Sequence, residues 1–154
     1  MAHDMDRLLE MSDEIWEGSI LPSLSEFIGV KALSPLFEPD WEEVGELEDV
    51  IELFCRWVDN QGIRGLSYSV HRIEGRSPVL LISVEGSGKG EIIFYSHLDK
   101  QPSKPELWSD GLGPLDAVRR GDWLYGRGSI DDGYGGYLCL ASLKLLQESG
   151  VPHP

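Results

Sequence analysis

Basic side chains are scarce: 13 Lys and Arg stand against 27 Asp and Glu, for a formal net charge of −14. A chain this acidic is repelled by a phosphate backbone, which argues against nucleic acid as a partner. The same imbalance supports solubility and says little about chemistry. No apolar run approaches the ~20 residues that a membrane-crossing helix needs, so no bilayer span is expected. The N-terminal M-A-H-D-M-D-R-L-L-E lacks a basic region leading into an apolar core. No secretory or organellar signal is expected, and the cytoplasm is the expected compartment. Cysteine is nearly absent too. Cys55 and Cys139 have no CxxC-type neighbour and lie in apolar helical patterns, where two buried free thiols are expected. Internal repeats and low-complexity segments are missing, and 154 residues make one domain.

What is present is a succession of short, well-punctuated elements. Residues 1–12 read as a frayed or weakly helical start. From Asp13, Ile20, Leu24, Phe27 and Ile28 fit one helix face, interrupted by Pro22. Asp40 and Glu43 have the spacing of a capping box, and Val44, Leu47, Ile51, Phe54, Cys55 and Val58 continue as an amphipathic helix to about Asn60. Leu66, Tyr68 and Val70 alternate with polar residues as in a strand with one wet face. Val79–Val84 reads as a strand covered on both sides, and Glu91–Ser96 as a third strand in a meander. Leu115–Arg119 and Trp123–Tyr125 flank Arg120-Gly121-Asp122 as a hairpin would. Tyr134, Leu138, Ala141 and Leu145 mark a last helix face, stopped by Gly150 and Pro152. Helices flanking such a sheet predict a layered α/β domain.

Two stretches carry candidate chemistry. His97 and Asp99 stand two apart at the tip of the expected strand Glu91–Ser96, which places both on one face of extended chain. A metal-binding histidine usually donates its second ring N–H to a carboxylate or carbonyl, and Asp99 is placed for that role. Asp131 and Asp132 follow G-R-G-S-I and precede a helix. A helix cap accounts for one carboxylate but not for two side by side, whose repulsion calls for a cation or donors. Taken singly, a surface histidine with a turn aspartate, or a plain cap, explains each motif. Taken together they predict that His97 and Asp131 meet on a divalent metal. His71 reads as solvated, and E-G-S-G-K-G (residues 85–90) lacks the spacing of a phosphate loop and reads as a turn.

Ser96-His97-Leu98-Asp99-Lys100-Gln101-Pro102, Trp108, Gly111–Pro114, Gly121–Gly128 and Asp131-Asp132-Gly133, in this order, resemble the co-catalytic zinc metallopeptidases. This is the superfamily of carnosinase, carboxypeptidase G, aminoacylase and succinyl-diaminopimelate desuccinylase. The resemblance implies a three-layer αβα fold with a mixed sheet, of which residues 1–154 would be the N-terminal portion. It implies that His97 ligates one metal, that Asp131 bridges two, and that Asp99 orients His97. It also implies a cis peptide between Asp131 and Asp132. The implied cofactors are two divalent ions, zinc, or manganese or cobalt in its place. The implied reaction is hydrolysis of an amide bond in a dipeptide or N-acyl amino acid by a homodimeric parent enzyme. The family's general-base glutamate and remaining ligands would lie beyond Pro154, so activity from this chain alone is not expected. Gly133 departs from the pattern, since many members carry lysine there. An acidic, non-catalytic interaction module that keeps the fold is the alternative.

Overall fold

Pro22 shapes the first helical stretch. In the structure, a computed structural model that describes residues 5–154, α1 (Met5–Ile15) passes into a π-helical turn (Trp16–Ile20) and then α2 (Leu21–Gly29). Pro22 has no N–H to donate, and it sits in the first turn of α2 just after the π turn. The helix thus begins well before Asp13. His3 lies outside the described residues.

The helix expected from Asp40 is two helices. Gly45 adopts φ 79° and divides α3 (Trp41–Val44) from α4 (Glu46–Asp59). Asp40 makes no side-chain cap bond, so the expected capping box is not formed. Its carbonyl accepts from the N–H groups of Glu43 and Val44, both at 2.9 Å. α4 buries Leu47, Val50, Ile51, Leu53, Phe54, Trp57 and Val58. Val44 is exposed, because the break at Gly45 takes it off that face.

The core centres on three aromatic rings. Tyr137, in α5 (Gly133–Glu148), meets Phe54 at a ring separation of 4.9 Å and Trp57 at 4.7 Å, both edge-on. Its hydroxyl lies 2.9 Å from Ser23 Oγ, which satisfies the buried polar tip. Burial pushes its pKa up to about 12. α5 is therefore rotated from the expected face: Tyr137, Leu140 and Ala141 are buried, while Leu138 is half exposed. Seating an aromatic ring between two others outweighs seating a leucine.

β1 (Leu66–Ile73) and β2 (Arg76–Val84) pair antiparallel, Leu66 opposite Val84. β3 (Val118–Arg120) and β4 (Trp123–Tyr125) form the expected hairpin, although its first strand begins at Val118 and not at Leu115. Along β2, Leu80, Ile82 and Val84 pack on the core while Val79 and Leu81 face outward, so one face is covered and not two. The expected strand Glu91–Ser96 is not formed; the segment is irregular, with Ile93 91 % exposed. A strand needs a neighbour for its N–H and C=O groups, and none among the described residues pairs with it. Helices packed with two short antiparallel sheets make a partial α/β fold. Cys55 and Cys139 are free, as expected, but only half-buried. No helix among the described residues is long and apolar enough to cross a membrane.

Candidate metal centre

The segment Ser96–Lys100 lies against the loop that leads into α5. His97 Nε2 stands 3.5 Å from Asp131 Oδ1. Two donors on one tetrahedral zinc, each about 2.0–2.2 Å from it, are themselves about 3.4 Å apart. The pair therefore has the spacing that a shared cation demands. The other ring nitrogen, Nδ1, is 3.2 Å from Asp99 Oδ1 and 3.0 Å from the Asp99 carbonyl oxygen. Both are acceptors, which favours the proton on Nδ1 and leaves the Nε2 lone pair directed at Asp131.

The Asp131–Asp132 peptide is cis, as expected. Asp132 stands at the start of α5 without capping it through its side chain. Instead, its Oδ2 accepts the backbone N–H of His97 at 3.2 Å, and its carbonyl accepts Ser96 Oγ–H at 3.2 Å. One carboxylate thus holds the histidine segment, while Asp131, with 60 % of its side chain exposed, lines a cleft. That cleft has a volume of about 310 Å³ and is shared with His97, Asp99, Ser34, Phe37 and Tyr95. Its size falls within the usual range of small-ligand sites. Among the described residues, no three His, Cys, Asp or Glu side chains converge as a metal-holding group. The fit to zinc is therefore partial: two donors of suitable type and spacing, of the four it takes.

Sequence reasoning does not single out Lys100, which is 2 % exposed. Its ammonium donates to the carbonyls of Phe27 at 2.6 Å and Ile28 at 3.3 Å, and to Val30, at the end of α2. It also lies 4.1 Å from the centre of the Phe27 ring. Burial lowers its pKa to about 8; Glu46 opposes that fall and Arg127 adds to it. Nothing in the local sequence marks Lys100 as buried, because the carbonyls it serves lie at the end of α2.

Residues 93–154 match the family model of Peptidase family M20/M25/M40. Over that segment the chain is similar to the co-catalytic metallopeptidases, and the match supports that superfamily. No curated protein matches the chain. The matched M20 segment contains His97, Asp99, Lys100 and Asp131, and the match supports a metal-dependent peptidase or hydrolase. The M20 family binds divalent metals, often zinc.

The remaining candidates stay outside this site. His71 is exposed and pairs with Ser69 Oγ at 2.9 Å. The turn at residues 85–90 is filled by carbonyl groups: Gly88 N–H donates to the His153 oxygen at 2.8 Å, and Gly86 packs on the Pro154 carbonyl. Such a lining repels an anion.

Proposed function

We propose that the protein is a metallopeptidase that hydrolyses an amide bond in a dipeptide or N-acyl amino acid. His97 and Asp131 are its metal ligands, and Asp99 orients His97. The observation that carries this reading is the 3.5 Å separation of His97 Nε2 and Asp131 Oδ1. Two divalent ions, zinc or in its place manganese or cobalt, supply Lewis acidity toward the scissile carbonyl and a water of lowered pKa. Asp99 keeps the Nδ1 proton in place and so keeps Nε2 available as a donor. Asp131, the more exposed carboxylate, holds its oxygens in the cleft, while Asp132 ties the histidine segment to the start of α5. The phenyl ring of Phe37 and the phenol of Tyr95 offer apolar surface beside these polar groups.

In this reading the general base is a glutamate outside residues 1–154, and the working enzyme is a homodimer. These residues by themselves bind metal weakly and turn over no peptide. Calorimetric titration with zinc tests the ligand assignment: wild type binds, and His97→Ala loses the binding. Equal zinc binding by the two sinks the reading. A dipeptidase assay showing metal-dependent turnover from residues 1–154 overturns the second half alone.

A further inference from the structure

The two segments that bring His97 and Asp131 together touch each other through few direct bonds, and those are long. His97 N–H to Asp132 Oδ2 and Ser96 Oγ–H to the Asp132 carbonyl are both 3.2 Å. Each segment is instead seated on the same feature of α2, the ring of Phe27 with the ammonium that lies over it. On the histidine side, Lys100 is anchored at both ends. Its ammonium reaches the closing carbonyls of α2, with Phe27 O at 2.6 Å. Its backbone N–H donates to Ala32 at 2.8 Å, and its carbonyl accepts Ser34 N–H at 2.9 Å. Asp99 is its chain neighbour, and His97 is three residues back.

On the aspartate side, two glycines flanking the Asp131–Asp132 loop abut the same ring. A Cβ on Gly128 would lie 2.7 Å from Phe27 Cε1 and 2.9 Å from Lys100 Cε. A Cβ on Gly133 would collide with Phe27 Cε1 and lie 2.7 Å from Cζ. Both ends of the loop are therefore in contact with the ring, and Gly133 is the residue directly after the carboxylate pair. We propose that Lys100, clamped onto Phe27 and the end of α2, is a positioning residue that sets the separation of His97 and Asp131. It borders the cleft, but its ammonium is taken up by the carbonyls at the end of α2 and ligates no metal. Its ammonium fastens the histidine segment to the ring against which the aspartate loop is packed.

The chemistry explains why a lysine serves here. The last carbonyls of a helix lack intrahelical donors and carry the negative end of its dipole. An ammonium answers both, through charge-assisted hydrogen bonds that an apolar side chain of similar length cannot make. Methionine would fill much of the same space, leave those carbonyls without this donor, and let residues 97–100 move off α2.

The inference rests on the metal reading for its purpose but not for its geometry, and the experiment separates the two. Wild type, Lys100→Met, Gly133→Ala, His97→Ala and the core control Leu53→Ala are titrated with cobalt(II), following the visible ligand-field band, and melted without metal. His97→Ala reports on the metal reading itself. The proposal expects Lys100→Met and Gly133→Ala to lower cobalt affinity by ~10-fold or more and to shift the band. Leu53→Ala, which also lowers the melting temperature, keeps the wild-type affinity and spectrum. A crystal structure of metal-free Lys100→Met then reads the His97 Nε2–Asp131 Oδ1 separation directly, and a wider gap is expected. An unchanged gap overturns the proposal whatever cobalt does. Loss of stability with wild-type affinity and spectrum likewise reduces Lys100 to a helix cap.

Discussion

The backbone N–H of His97 donates to Asp132 Oδ2 at 3.2 Å, so the carboxylate at the start of α5 serves the neighbouring segment and not its own helix. Replacing it should therefore disturb the His97 segment while leaving α5 intact. Asp132→Asn keeps an acceptor oxygen and should change stability by no more than ~0.5 kcal/mol. Asp132→Ala loses a charge-assisted bond in a partly exposed setting and should cost about 1 kcal/mol. Urea unfolding gives both values. Amide exchange should show the His97 N–H, and not the first turn of α5, losing protection in Asp132→Ala.

Asp99 presents two acceptors to His97 Nδ1, its carboxylate at 3.2 Å and its carbonyl at 3.0 Å. Asp99→Asn removes the charge but leaves the carbonyl, so the tautomer survives while the imidazole becomes a poorer donor. Zinc affinity should fall by ~10-fold, the low end of the usual range for such a partner. The site is a third exposed, and the melting temperature should barely move. A fall as deep as that of His97→Ala would mean that Asp99 is itself a ligand.

The closeness of His97 and Asp131 is legible in the sequence, because each of the two motifs that carry it is local. H-x-D places an imidazole beside a carboxylate by spacing alone, and adjacent aspartates before a helix are hard to explain as caps. The β3–β4 hairpin is equally plain from Arg120-Gly121-Asp122, although its first strand starts at Val118 and not at Leu115. What stayed hidden depends on distant neighbours. Glu91–Ser96 is apolar enough to be a strand, yet strand formation needs a pairing partner, which composition does not report. Leu138 and Tyr137 both fit a helix face, and only the placement of Phe54 and Trp57 decides between them. Lys100 gives no hint of burial, because its acceptors lie some seventy residues earlier at the end of α2.

Two glycines in equally open surroundings should respond to alanine with opposite sign. Neither Gly45 nor Gly18 has any atom within 4 Å of an added Cβ. Gly45 holds φ 79° where α3 ends, a conformation that costs an L-residue roughly 1 kcal/mol, so Gly45→Ala should destabilise by about that amount. Gly18 lies in the π-helical turn without positive φ, and Gly18→Ala should stabilise by about 0.4–1 kcal/mol through the unfolded chain. Paired denaturant titrations check the contrast. Equal signs would show that φ at Gly45 is not what separates the helices.

The buried ammonium of Lys100 should make stability depend on pH in the alkaline range. Its folded pKa is lowered to about 8 by burial, against about 10.4 for a lysine in the unfolded chain. Below about pH 8 both states hold the proton, and the cost of burying a charge is fully present. Between about pH 8 and about 10.4 the unfolded chain keeps a proton that the folded chain has released, so stability rises with pH across that window. Lys100→Met has no such group and provides the reference, since other titrating residues contribute equally to both proteins. Urea unfolding at about pH 7.5 and about pH 10 should show the wild type gaining stability relative to the variant at the higher pH. A difference that stays constant, or moves toward the variant, would mean that the α2 carbonyls and Glu46 hold the ammonium charged despite its burial.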